Sequence, residues 1–498
     1  MNKIKQRVGS RVTGRMLSWC EKDPEGNIPK VIAFLKKYAE RPHILRQLGD
    51  AERAMADRDN PYRKLIMRVF SPELSPNVRR KMAQNFVFNA SMVGNARAKK
   101  SAERLGCSVP YAILLDPTSA CNLRCKGCWA AEYDKTDNLD NALIDRIITE
   151  GKELGIYFYL FSGGEPLVRK DDLIRIAEKH DDCVFLSFTN ATLVDEKFAA
   201  DLARVGNFAL AISVEGSEGA TDFRRGEGTY GKIIRAMDLL HAAGAPFGFS
   251  TCYHAQNVDA VADESYLDFL IEKGCMFGWY FTYIPCGRDA LPELMTPPEK
   301  RALMLGRVRD WRRRKPIFLM DFWNDGEYVD GCVAGGKNYF HINAAGDVEP
   351  CAFIHYSNLN IRDVSLSDAL KSPIFASYQR RQPFSKNQLM PCPLLDSPAK
   401  LEAIVRESGA HSTQPLDQED VSDLAAKCRP AARAWEPMAD ELWKGLYPRY
   451  AKHRAIKDEE EALERRESGR RLRAAMATRL AERKAEENRQ GEKARQGS

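Results

Sequence analysis

Cys121, Cys125 and Cys128 stand three and then two residues apart in "DPTSACNLRCKGCWAAEY", directly after the apolar run "YAILL". Thiolates are soft ligands that select zinc or iron–sulfur clusters, and one loop presenting three of them at this spacing can hold three corners of a cubane. A structural zinc site is closed by four protein ligands, commonly in C-x2-C pairs, so a triplet with no fourth thiol close by fits zinc poorly. The arrangement leaves one iron open. A second, looser group follows: Cys332 and Cys351 bracket Gly346 in "GCVAGGKNYFHINAAGDVEPCAF", and Cys392 lies in "LMPCPLL". A glycine turn between Cys332 and Cys351 folds a hairpin whose two ends can offer thiolates to one metal.

The elements that must carry these residues are readable from periodicity. Six short β-rich runs, "YAILLD", "YFYLFSGG", "CVFLSFTN", "FALAISVEG", "FGFSTCYH" and "MFGWYFTYIP", alternate with amphipathic segments such as "ALIDRIITEGKELG" and "YGKIIRAMDLLHAAG". Strand, helix, strand with right-handed crossovers predicts an α/β fold with a parallel sheet, open or curved toward a barrel, with active residues gathered at the C-terminal strand ends. Residues 1–105 read as a basic helical region, 106–318 as the alternating core, 319–400 as a smaller Gly- and Cys-bearing domain and 401–450 as further helix. Residues 451–498 are dense in Glu, Arg, Lys and Ala and read as a charged helical or disordered tail.

Composition excludes several classes. In 498 residues, 44% hydrophobic and 29% charged, a net charge of +6 gives no reason to expect a nucleic-acid partner. No apolar run approaches the roughly 20 residues that span a bilayer, and "MNKIKQRVGSRVTGRML" lacks the apolar core of a signal peptide, so a cytoplasmic location is expected. Thirteen cysteines spread along such a chain favour metal ligation or buried thiols over disulfides. Cys20, Cys107, Cys183, Cys252 and Cys275 read as small buried hydrophobes.

The triplet, on the loop after the first strand of a β/α series, resembles the cluster motif of the radical S-adenosylmethionine enzymes. The resemblance implies a partial (β/α)6 barrel in which Cys121, Cys125 and Cys128 bind a [4Fe–4S] cluster and S-adenosylmethionine chelates the open iron. In that family, reductive cleavage of the sulfonium yields a 5′-deoxyadenosyl radical that abstracts a substrate hydrogen. Further matches follow in order. "FSGGEPL", with Gly163, Gly164, Glu165 and Pro166, resembles the element lying against the methionyl amino group, and glycine permits close backbone approach to a ligand. "SFTNATLVDE" resembles the third-strand end and implies Thr189 and Asn190 near the cofactor. "AISVEGSEGATDFRRGEG" resembles the fourth strand and its loop, implying Ser213 and Glu215 for the ribose hydroxyls and Arg225 for the methionyl carboxylate. The chain departs from the family at Gly127, where an aromatic residue commonly packs beside the adenine. Either Trp129 takes over that packing or it is a core tryptophan beneath the loop.

The second cysteine group, with "NIRDVSLSDALKSP" behind it, resembles the start of a SPASM or twitch extension over residues 330–375. It implies at most one auxiliary cluster, on Cys332, Cys351 and Cys392, with Cys286 in "YIPCGRD" a candidate fourth ligand. Ordinary thiols or a zinc site are the alternatives. The resemblance implies a radical enzyme served by a low-potential donor of flavodoxin or ferredoxin type, acting on a peptide or protein, or else on a lipid or small molecule. A non-catalytic iron–sulfur or zinc protein is the competing class. The basic segments "FLKKYAERPHILRQL" and "PYRKLIMRVF" could lie on an anionic membrane surface. Tyr253, His254, Trp279, Tyr280, Tyr283 and Arg288, at or near strand ends, are candidates to line the cavity. No residue stands out as acid or base.

Overall fold

A computed structural model describes residues 3–39, 42–130, 135–287 and 289–496, which leaves the cavity candidate Arg288 outside the described residues. The six expected strands form where the β-branched and aromatic runs predict. They are β1 (Ala112–Leu115), β2 (Phe158–Phe161), β3 (Val184–Thr189), β4 (Phe208–Ser213), β5 (Phe247–Tyr253) and β6 (Phe277–Thr282). Each is parallel to the next in order. Helices such as Asn141–Leu154, Glu196–Val205 and Thr229–Ala243 make the crossovers. The carboxylates of Asp140 and Asp195 cap the first two by accepting from the Leu143 and Phe198 amides at 2.8 Å.

Three strands were not foreseen. β7 (Phe318–Asp321) extends the sheet beyond β6, and β8 (Tyr339–Ile342) pairs in parallel with β1 on the other side, with β9 (Val348–Glu349) antiparallel to β8. The order is therefore β7-β6-β5-β4-β3-β2-β1-β8-β9. The segment expected to form a separate small domain from residue 319 thus supplies both flanks of the core sheet.

The sheet is strongly curled. Neighbouring strands lie about 4.8 Å apart, so β3 and β6 would be about 14 Å apart if flat. Yet the rings of Phe188 on β3 and Trp279 on β6 are 5.6 Å apart, and Phe322, just after β7, meets Tyr339 on β8 at 6.1 Å. On β6 the two-residue alternation sends Tyr280 into the core under the helices while Phe277, Trp279 and Phe281 remain half-buried on the concave face. That face is aromatic. Rings pass from Phe188 through Trp279, Phe281, Phe322, Trp323 and Phe353 to Trp129, with adjacent centroids 5.0–6.0 Å apart along the contacts Phe188–Trp279, Trp279–Phe281, Phe281–Phe322, Phe322–Trp323, Trp323–Phe353 and Phe353–Trp129.

The chain divides into two compact units, Met1–Val31 with Arg53–Trp443, and Ile32–Glu52 with Lys444–Ser498. Within the second, Arg46 makes a two-pronged pair with Glu460 at 2.8 and 3.1 Å. The charged C-terminal segment is helical, in one helix Val421–Gln496. Among the described residues no helix is long and apolar enough to cross a membrane.

Candidate functional site

The three thiols lie on the loop that leaves the C-terminal end of β1, where a curled parallel sheet exposes its strand ends. Along this loop the side chains alternate: Asn122, Arg124 and Lys126 are exposed, while Cys121, Cys125 and Cys128 are half-buried. Burial, then Glu165 and the neighbouring thiols, push Cys121 up to about 11. Burial and Cys125 also raise Cys128, against the opposing pull of Arg224 and Arg225. A metal cluster bound here would have to displace the protons that burial favours on Cys121 and Cys128.

The Gly163–Gly164 turn after β2 packs against this loop. The Gly164 amide donates to the Thr118 carbonyl at 3.0 Å and the Glu165 amide to the Ala120 carbonyl at 2.8 Å. A Cβ on Gly164 would sit 2.2 Å from the Ala120 oxygen, and one on Gly163, at φ +103°, would sit 2.7 Å from Asp116 Cβ. The glycines are thus required by the loop's own backbone, a constraint additional to any ligand. Glu165 is buried and binds the next strand: it accepts from Thr189 Oγ1 at 2.6 Å, the Asn190 amide at 2.8 Å and the Leu167 amide at 2.9 Å. Asn190 reaches back, its Nδ2 donating to Asn122 Oδ1 at 2.9 Å. Glu165, Thr189 and Asn190, separate motifs in the sequence, are one hydrogen-bonded wall beside the thiols, closed below by Pro166 at the start of a short 3-10 turn.

At the end of β4 Ser213 is half-buried, and two residues on Glu215 is fully buried. Glu215 Oε1 accepts from Arg224 Nη1 at 2.7 Å and from Arg225 Nε at 2.9 Å, and Oε2 accepts from the Cys252 amide at 3.2 Å. Burial alone would raise Glu215, but the two guanidinium groups hold it below the usual carboxylate range. Its partners here are arginines and a backbone amide, where the sequence resemblance implied ribose hydroxyls. Arg225 Nη1 lies 4.0 Å from Cys125 Sγ. Arg224, which the sequence did not single out, is as deeply placed, and its Nε is buried with no hydrogen-bond partner among the described residues. His254 Nε2 is likewise buried and unpartnered, and burial with the Arg224 charge lowers that imidazole to about 4.

Gly127 takes a left-handed φ of +61°, and a Cβ there would meet the Tyr283 hydroxyl at 2.6 Å and its ring at 2.8 Å. The ring from the end of β6 fills the space beside the loop that an aromatic side chain at position 127 would need. Its hydroxyl accepts from the Leu291 amide at 2.8 Å. Trp129 lies instead in the aromatic wall, stacked on His355 at 5.9 Å and edge-on to His341 at 5.8 Å. Of the other cavity candidates, Trp279 and Tyr283 reach the site, while Tyr253 and Tyr280 fall on the helix-facing side of their strands.

A buried charged network, missed in the sequence, adjoins the loop. His341 on β8 pairs with Asp116 at 2.8 Å and with Glu349 at 2.7 Å, and His355 lies 3.4 Å from Glu349. Its members stand far apart in the sequence, and only the β1–β8 pairing brings His341 to Asp116.

In the second cysteine group, Cys332 Sγ is 3.1 Å from the Tyr378 hydroxyl, and Cys351 Sγ is 2.7 Å from the Tyr339 hydroxyl. Cys392 Sγ accepts from the Leu395 amide at 3.3 Å. Burial raises all three, and Cys332 and Cys351 add to the rise at Cys392, which places the three in one electrostatic neighbourhood. Cys286 is fully buried, and that burial, followed by the charges of Cys428, Cys351 and Cys128, raises its thiol. Cys20, Cys183 and Cys275 are buried as expected, whereas Cys107 and Cys252 are half-buried.

The structure thus gathers three thiols on a strand-end loop, a close-packed glycine turn against that loop, and two arginines that meet Glu215 beside Cys125. Residues 115–264 match the family described as the Radical SAM superfamily, and this segment is a radical SAM domain, whose cofactors are a [4Fe–4S] cluster and S-adenosylmethionine. The chain is 25% identical over 300 residues to an AdoMet-dependent heme synthase of Oleidesulfovibrio alaskensis, covering 54% of this chain and 76% of that protein. It is 26% identical over 290 residues to a PqqA peptide cyclase of Gluconobacter oxydans, covering 55% and 80%. Among solved structures, Streptococcus suis SuiB is similar over 57% of this chain and 72% of that one, at 18% identity and a TM-score of 0.49.

Proposed function

We propose that the chain is a maturase-type radical S-adenosylmethionine enzyme acting on a peptide, in the cytoplasm, with electrons from a low-potential donor of flavodoxin or ferredoxin type. The observation that carries this reading is the position of the three thiols at the mouth of the curled sheet, directly above a concave face lined by aromatic rings. Bound there, the cluster and S-adenosylmethionine supply a carbon-centred radical able to take a hydrogen atom from an unactivated position.

The chain's own residues do the rest. Cys121, Cys125 and Cys128 hold the cluster, and the Gly163–Pro166 turn and the Glu165–Thr189–Asn190 wall fix the loop and border the cofactor. Arg224 and Arg225, buried and held together by Glu215, direct positive charge toward the cofactor carboxylate; the unpartnered Arg224 Nε fits that role. Ser213 borders the ribose. Tyr283 takes the place of the missing aromatic at Gly127. The rings of Trp279, Phe281, Phe322 and Phe353 exclude water and receive an apolar or aromatic side chain of the substrate. Cys332, Cys351 and Cys392 hold one auxiliary cluster, with the fully buried Cys286 as the candidate fourth ligand.

The aromatic face also suits a second reading, a flat small molecule, which the similarity to heme synthases favours. The two are separated by measuring reductant-dependent S-adenosylmethionine cleavage in the presence of short Tyr- or Trp-containing peptides or of a porphyrin. Stimulation and a mass change confined to peptides support the first reading, and a change confined to the porphyrin refutes it.

A further inference from the structure

The radical site leaves the strongest charge asymmetry of the chain unexplained. Residues 1–105 hold 23 lysines and arginines against 10 aspartates and glutamates, while the whole chain is only +6, so the remainder is net negative. Part of this positive charge lines a cavity. The helix Lys3–Cys20 lies against the π-helical segment Ala83–Gly94, with Gln84 Nε2 donating to the Ser10 carbonyl at 3.1 Å. Between them opens a groove of about 520 Å3 bordered by Arg11, Arg15, Ser18, Trp19, Lys22 and Arg80.

Arg11, Arg15, Trp19 and Lys22 recur every three or four residues and so share one helix face. Like charges in that register repel one another. Among the described residues Arg11, Arg15 and Lys22 have no carboxylate partner, and the acids nearby are engaged elsewhere. Glu21 pairs with Arg79 at 3.0 Å, and Asp23 accepts from the Gly26 amide at 3.0 Å. Lys30 adds a further cation 5.7 Å from the Trp19 ring. On the same helix Trp19 is 42% and Val12 49% exposed, so apolar surface lies open beside the unpaired cations.

We propose that this groove seats phosphate headgroups of an anionic membrane and holds the enzyme at the bilayer surface. A free phosphate ion would be held best by donors converging on one enclosed point. This groove is open and combines cations with an exposed tryptophan, and Val12 lies exposed on the same helix, the composition of an interfacial helix. The guanidinium groups match phosphate oxygens in two-pronged pairs, and Trp19 sits at headgroup depth.

The test is co-sedimentation of the full chain with phosphatidylcholine vesicles, with and without phosphatidylglycerol. Binding should require phosphatidylglycerol and fall as salt is added. Each Lys or Arg contributes about 1 kcal/mol at such a surface, roughly fivefold in partition, so Arg11→Gln/Arg15→Gln should bind about 25-fold more weakly. Lys232→Gln/Arg235→Gln, equal in charge but on the exposed face of the helix Thr229–Ala243, should bind as the parent does. Unchanged circular dichroism of both variants establishes that they fold. Equal binding to neutral vesicles, equal loss in the two variants, or retention of inorganic phosphate, polyglutamate or an RNA oligomer in place of vesicles would overturn the proposal. None of these readouts involves S-adenosylmethionine cleavage, so failure here leaves the radical assignment standing.

Discussion

Replacing His341 by Gln tests the buried network that anchors the start of the cluster loop. His341, Asp116 and Glu349 are all fully buried, with the imidazole between the carboxylates at 2.8 and 2.7 Å. Burial alone would lower the histidine, but Asp116 and Glu349 raise it from 6.5 to about 10. Burial would raise Glu349, yet the charges of His355 and His341 bring it down to about 2. A folded-state value above the unfolded one means that the imidazolium's contribution is complete below about pH 6.5, declines above it, and is gone as pH passes 10. The gap corresponds to a contribution on the order of 5 kcal/mol, and removing one partner of a buried pair costs about 3–5 kcal/mol. His341→Gln should therefore lower the thermal midpoint by several degrees at pH 6.5. Followed by circular dichroism from pH 6 to 10, the parent should lose stability toward alkaline pH, while the variant, already lacking the cation, should change much less. A variant within 1 kcal/mol of the parent at pH 6.5, or one with the same alkaline decline, would refute this account.

Three further substitutions probe the site. Gly164→Ala places a Cβ 2.2 Å from the backbone oxygen of Ala120; iron analysis after anaerobic reconstitution should show the cluster loop unable to retain its metal. Gly127→Ala forces a left-handed alanine, at roughly 1–2 kcal/mol, against Tyr283. Combining it with Tyr283→Ala should restore part of the lost iron occupancy, and strict additivity would deny the contact. Glu215→Gln leaves Arg224 and Arg225 buried without their carboxylate, at about 3–5 kcal/mol, and should weaken S-adenosylmethionine binding measured by calorimetry.

The six core strands were legible because each is a short β-branched or aromatic run between turn signals, and the cysteine triplet because its spacing is itself the signal. What escaped had no local signature. "FLMD" and "YFHI" lie beyond the strand–helix alternation that marks the other six, and only tertiary pairing with β6 and β1 makes them strands. The charged His341 site depends on that pairing. Arg224 differs from Arg225 by nothing in "FRRG", and both turn inward because Glu215 waits on the preceding strand end. Tyr253 and Tyr280 were assigned to the cavity from their nearness to strand ends, but the two-residue alternation places them under the helices. The relation between Gly127 and Tyr283, 156 residues apart, becomes visible only when the curl of the sheet brings the end of β6 over the first loop.

Whether Cys121, Cys125 and Cys128 hold the cluster at which S-adenosylmethionine is cleaved can be read from 5′-deoxyadenosine release by the anaerobically reconstituted protein under a strong reductant. The parent should release it and Cys121→Ala, Cys125→Ala and Cys128→Ala should not, even with Cys332, Cys351 and Cys392 intact. Undiminished release by any of the three variants would contradict that assignment.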